Sequence, residues 1–183
     1  MATPPSYEQR LQSLRILWAA MFASTLFYPA VPFLIERGEP PPDAVLLIGL
    51  AGAAVASAMA SVVVPGILRA SALARADLAT REAPGQVAGA GNPFLGEAPR
   101  RAFVDPRAAM TAAFTSYQVA FLVGCALSET PALIGIVVAS LGYSPLLAIP
   151  FCVASAALIA VRFPTLERVL AHVERRTGAK LPR

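Results

Sequence analysis

Three long uncharged runs constrain this chain more than any other feature. Ile16–Ile35 is twenty residues without a charge, Ala44–Leu68 is twenty-five, and Ala108–Val161 carries one charged residue in fifty-four, Glu129. A helix rises about 1.5 Å per residue, so roughly twenty apolar residues match a hydrocarbon layer about 30 Å thick. The last run is long enough for two crossings. The expected fold is therefore an all-α membrane protein with four transmembrane helices, at about 14–35, 44–68, 113–142 and 145–163, in a single integral membrane domain spanning 1–183.

Composition agrees. The chain is 56% hydrophobic and 14% charged, with mean hydropathy +0.62, against about 45–50% apolar and about 25% charged in soluble domains. The net charge of +4 comes from arginines flanking apolar runs, which is a topological pattern and not a nucleic-acid surface. Arginine-dominated basic residues with abundant Ala, Pro and Gly point to a GC-rich bacterial genome, hence a multi-pass protein of the inner membrane.

Local signals set the helix ends. Ser6-Tyr-Glu-Gln9 has the form of a capping box. The helix it starts reads as an uncleaved first span in preference to a signal peptide, with Pro29 and Pro32 bending or ending its last turns. Glu36–Asp43 is a proline-rich polar turn, with Asp43 placed to cap the next helix. Helix two presents Gly49, Gly52, Ala53 and Ala56 at a spacing that lets another helix approach closely, although alanine is common throughout the chain. Residues 69–107 read as a solvated cytoplasmic connector. Helix two extends into it as far as Arg81, after which Pro/Gly clusters break any regular element; Phe94-Leu95 and Phe103-Val104 are apolar pairs able to dip into the interface. Asp105-Pro106 starts helix three, whose early turns put Tyr117 near headgroup level. Ser144-Pro145 starts the fourth span, and Arg162 and Pro164 close it. Thr165–Thr177 has apolar residues at 166, 169, 170 and 173, the pattern of an amphipathic helix lying on the membrane surface, with a soluble partner as the alternative occupant of that face.

Lys and Arg number two before the first span, one in the first loop, six in the long loop, none in the last turn and six in the tail. Both termini and the long loop are therefore expected on the cytoplasmic side. Cys125 and Cys152 then lie at different depths, as two buried thiols out of disulfide reach. No zinc, haem or nucleophile–base pattern is present, so no enzyme, cofactor or metal is expected. The expected partners are the lipid bilayer and a homo-oligomer or larger membrane complex, with no nucleic acid.

Glu129 falls near the middle of helix three. A charge at that depth costs at least a few kcal/mol, so the carboxyl is either protonated or matched inside the bundle. No basic residue lies at that depth in another span, which leaves hydrogen bonding. Ser128, Thr130, Ser57 and Ser61 are the candidate partners. Pro131 lacks an amide hydrogen, kinks the helix and releases the Leu127 carbonyl, placing a free carbonyl within a turn of the carboxyl. That pairing suits an ion or proton site; a hydrogen-bonded structural carboxyl is the competing reading.

The stretch Leu127-Ser-Glu129-Thr-Pro-Ala132-Leu-Ile-Gly135-Ile-Val-Val-Ala139 resembles the carboxylate helix of the proteolipid rotor-ring subunit of rotary ATP synthases. Glu129, Ala132 and Gly135 match that family's pattern, and the small-residue helix two would be the partner helix. The chain departs from the family in its thirty-nine-residue loop, its two additional helices and Pro131. It looks more like a small bacterial four-helix membrane protein sharing that helix. For Glu129 the resemblance implies proton binding.

Overall fold

The computed structural model describes residues 6–35, 44–76, 78–82, 101–179 and 181. The Glu36–Asp43 turn, the Ala83–Pro99 breakers and Phe94-Leu95 lie outside them. Helix α1 (Tyr7–Phe27) begins with the reciprocal Ser6–Gln9 capping box. It passes through a 3-10 turn at Tyr28–Ala30 into one further turn, α2 (Val31–Leu34). Pro29 and Pro32 thus lie in a stretch where the helix tightens into a 3-10 turn and then resumes as far as Leu34. Helix α3 (Ala44–Arg75) and helix α4 (Pro106–Ser140) follow, and α4 is capped as expected: Asp105 accepts from the amides of Arg107 and Ala108 at 2.9 and 3.0 Å. Beyond Gly142, a 3-10 turn at Pro145–Ala148 leads into α5 (Ile149–Ala160). Helix α6 (Leu166–Thr177) is capped by Thr165 and stopped by Gly178 at φ 69°.

Three helices, Tyr7–Leu34, Ala44–Arg75 and Pro106–Ser140, are long and apolar enough to cross a membrane. The fourth apolar segment, Pro145–Ala160, is shorter. Helix α4 is the hub, packing against α1, α3 and α5. Trp18 ties α1 to α5: its indole donates to the Ile159 carbonyl at 2.8 Å, which also accepts from the Arg162 amide at 3.0 Å, and its ring meets Phe163 edge-on at 5.0 Å.

Two expectations change. The long connector is not without regular structure. Helix α3 stops at Arg75, and strands β1 (Thr80–Glu82) and β2 (Arg101–Phe103) pair antiparallel, Arg81 opposite Ala102. Phe103 is buried in the core instead of lying at an interface, while Val104 is exposed. The apolar face of α6 also finds protein. Val169, Leu170 and Val173 are at most 2% exposed, packed in one cluster with Leu11, Leu14, Leu73, Phe114 and Tyr117. A compact core therefore gathers the start of α1, the end of α3, the start of α4, β2 and α6 at one end of the bundle. Tyr117 belongs to it, covered by Arg69, whose guanidinium carbon stands 4.8 Å above the ring.

Candidate functional site

Three consecutive residues of α4 each bond to a different helix. Successive helical residues are rotated by about 100°, so a run of three faces three directions. Leu127 directs its carbonyl at α3, where Ser57 Oγ donates at 2.9 Å. This is the carbonyl released by Pro131, through which α4 continues. Ser128, fully buried, faces α5 and the segment after it: its carbonyl accepts from Ser155 Oγ at 2.6 Å, and its hydroxyl accepts from Arg162 Nε at 3.0 Å while donating to the Gly124 carbonyl at 2.7 Å. Glu129, half-buried, faces α1, with Oε1 3.2 Å from Ser24 Oγ.

The carboxyl shares its donor. Ser24 Oγ is also 2.7 Å from the Met21 carbonyl, and a hydroxyl has a single hydrogen. The Ser24 hydroxyl therefore has two acceptors for one hydrogen, the Met21 carbonyl of its own helix and Glu129 Oε1, and it is the donor toward both.

The four hydroxyls expected around Glu129 have other partners. Ser57 serves the Leu127 carbonyl, Ser128 serves Gly124, Ser61 donates to the Ala58 carbonyl of its own helix, and Thr130 donates to the Ala126 carbonyl. Ser24 was missed because a lone serine in an apolar run gives no signal.

Arg162 is the second correction. It was expected, with Pro164, to close the fourth span. Its side chain instead turns back into the bundle, donating to Ser128 Oγ and, through Nη2, to the Ser61 carbonyl. Ser61 precedes Pro65 by four residues, so its carbonyl has no helical amide partner. The pattern at Pro131 is repeated: a proline inside a helix releases a carbonyl, and a donor from another element takes it. Gly124 leaves the space, since a Cβ there would lie 2.6 Å from Arg162 Nη1 and 2.9 Å from Pro65 Cγ. The signal was present in the sequence as Pro65, whose consequence matches that of Pro131.

The helix-packing residues divide. Gly135 is used within the chain, where a Cβ would lie 3.0–3.4 Å from Phe151 and Ala148. Gly49, Gly52, Ala53 and Ala56 are exposed, and nothing lies within 4 Å of a Cβ built at Gly49 or Gly52. Helix α3 meets α4 through the opposite side, where Ala54, Ser61 and Pro65 are buried. Both cysteines are buried free thiols. Among the described residues no group of three or more His, Cys, Asp or Glu side chains converges. No protein-family model, curated protein or solved structure matches this chain.

Proposed function

We propose that this chain is a non-enzymatic multi-pass protein of a bacterial inner membrane, working by lateral association as an accessory component of a larger membrane complex. The outward small-residue stripe of α3 carries this reading. Gly49, Gly52, Ala53 and Ala56 form a smooth strip facing away from the bundle, with open space above both glycines. Helices in lipid associate by close van der Waals approach, and such a strip admits another backbone. In this reading Pro145–Ala160 makes a fourth crossing and both termini are cytoplasmic. Gathering the chain's two ends and both flanks of the long loop into one core supports their lying on one side, and fourteen of the fifteen basic residues then face the cytoplasm.

The test is affinity capture of the tagged chain from its native membrane, with the captured subunits identified, in wild type and in Gly52→Leu. A stoichiometric membrane partner that is lost in Gly52→Leu supports the reading. A chain that emerges alone and monomeric overturns it.

Proton or cation handling by Glu129 is the second reading, favoured by an acidic side chain half-buried among apolar helices beside the Ser24 hydroxyl. It predicts pH-dependent labelling of Glu129 by a carbodiimide and loss of ion flux from proteoliposomes in Glu129→Gln. Unchanged flux in that variant removes it.

A further inference from the structure

At the end of the bundle that holds the compact core, a cleft of about 480 Å³ opens between the last turns of α3 and the corner joining α5 to α6. Its lining is unusual in charge. Arg69, Arg162, Arg168 and Arg175 line it, with Glu167 as the one carboxylate among the lining residues. Four like charges converging on one space repel, and an anion placed among them relieves that repulsion.

The guanidiniums are positioned, and most are anchored by only part of their hydrogen-bonding capacity. Arg162 is held by Ser128 and the Ser61 carbonyl. Arg168 Nη1 donates to the Val161 and Phe163 carbonyls at 2.7 and 3.0 Å, and Arg175 Nε donates to the Ala171 carbonyl at 3.0 Å. Each guanidinium carries five N–H groups, so these bonds fix the side chains while leaving donors over. Arg69 differs. Its guanidinium carbon stands over the Tyr117 ring, and its buried Nε has no hydrogen-bond partner among the described residues. A buried guanidinium donor without an acceptor is costly, and a small adjustment toward an oxygen anion in the cleft would satisfy it.

The remaining wall is apolar. Val62, Pro65, Phe121 and Val161 line the same cleft, and Val62 and Val161 are 66% and 67% exposed. Arg69 is the first charged residue after the twenty-five-residue apolar run of α3, so the cationic end stands where that run ends and the apolar wall continues along it. A small soluble anion has no use for such a wall. A lipid with an anionic head and acyl chains uses both parts.

We propose that this cleft binds the phosphate headgroup of an anionic phospholipid, with Arg69 and Arg168 as phosphate donors and Val62 and Val161 against the acyl chains. The inference stands apart from lateral association, since the cleft faces the α5–α6 corner and not the outward stripe of α3.

The experiment uses the full chain in mild detergent, titrated with phosphatidylglycerol or phosphatidylcholine of matched acyl chains and read by native mass spectrometry. Phosphatidylglycerol is expected to bind at least about tenfold more tightly, and Arg69→Gln to weaken it by about tenfold, the loss of one charge-assisted bond. Phosphatidylcholine binding should not change. Arg168→Gln, at the exposed rim, reports the same loss if Arg69→Gln does not fold. Arg107→Gln removes an exposed charge outside the cleft and should leave phosphatidylglycerol binding intact. Equal binding of the two lipids overturns the proposal, as does an equal loss in Arg107→Gln. Displacement of bound phosphatidylglycerol by equimolar inorganic phosphate also overturns it, making this a free-phosphate site.

Discussion

Removing the Ser57 hydroxyl should cost stability only while Pro131 is present. Pro131 leaves the Leu127 carbonyl without its helical amide, and Ser57 Oγ supplies the missing donor at 2.9 Å. Ser57→Ala leaves that carbonyl unpaired inside the bundle. An orphaned buried group in a water-soluble protein costs about 1–3 kcal/mol, whereas interhelical hydrogen bonds in membrane proteins average about 0.6 and reach about 1.7 kcal/mol. The expected loss is therefore about 1 kcal/mol. In a Pro131→Ala background residue 131 carries an amide that can close the ordinary helical bond to Leu127, and Ser57→Ala should then cost under about 0.3 kcal/mol, within the scatter of independent sites. Pro131 is fully buried, so its replacement also opens space and raises helix propensity, but the double-mutant cycle subtracts both effects. Unfolding by an anionic detergent in mixed micelles measures the four variants. The single tryptophan is a suitable probe, because Trp18 holds α1 to α5 through the Ile159 carbonyl and the Phe163 ring. Equal costs for Ser57→Ala in the two backgrounds would refute the argument that the proline creates the need for the serine.

The same cycle applies to Arg162→Met and Pro65→Ala. The coupling should be larger, about 1.5–3 kcal/mol, because the donor to the Ser61 carbonyl is charged; additivity in detergent unfolding would count against it. Gly124→Ala should destabilise by about 1–3 kcal/mol through overpacking against Pro65 and Arg162. Gly49→Ala and Gly52→Ala, which meet nothing, should be neutral or stabilising by up to about 1 kcal/mol in the same assay. His172 on α6 titrates below its ordinary 6.5, first because burial disfavours its charged form and then because Arg69, Arg175 and Arg176 repel it. The unfolded chain consequently takes up this proton first. Stability should be full above pH 6.5 and decline as pH falls below it, and His172→Gln should flatten that part of the profile.

Features that depend on a few adjacent residues could be read from the sequence. The Ser6–Gln9 box, the Asp105 cap and the Thr165–Gly178 bounds of α6 all involve a side chain and backbone amides within one turn. The apolar runs likewise marked the long helices. What an apolar face packs against is a different matter, since lipid and protein satisfy Val169, Leu170 and Val173 equally well. Strands β1 and β2 pair across a sequence gap longer than either strand, and three-residue strands are too short to show a period. At the site, Glu129 and the Leu127 carbonyl were identified from one proline and one charge. Arg162 was not, because counting it among the basic residues of the tail overlooked a long side chain's freedom to turn inward, and because Pro65 was not given the reasoning applied to Pro131.

The two prolines account for much of how this bundle is specified. Among helices as uniformly apolar as these, apolar burial does little to favour one register over another. Polar contacts do, and an unbroken helix offers few because its carbonyls are already paired. Pro65 and Pro131 each expose one carbonyl, and each is met by a donor from elsewhere in the fold: Arg162 for Ser61, Ser57 for Leu127. Together with Ser155 on the Ser128 carbonyl and Ser24 beside Glu129, they set the registers of α1, α3 and α5 against a single turn of α4. Glu129 is one of several groups around that turn. Its Oε1 takes the Ser24 contact, so it adds α1 to the helices that this one turn holds.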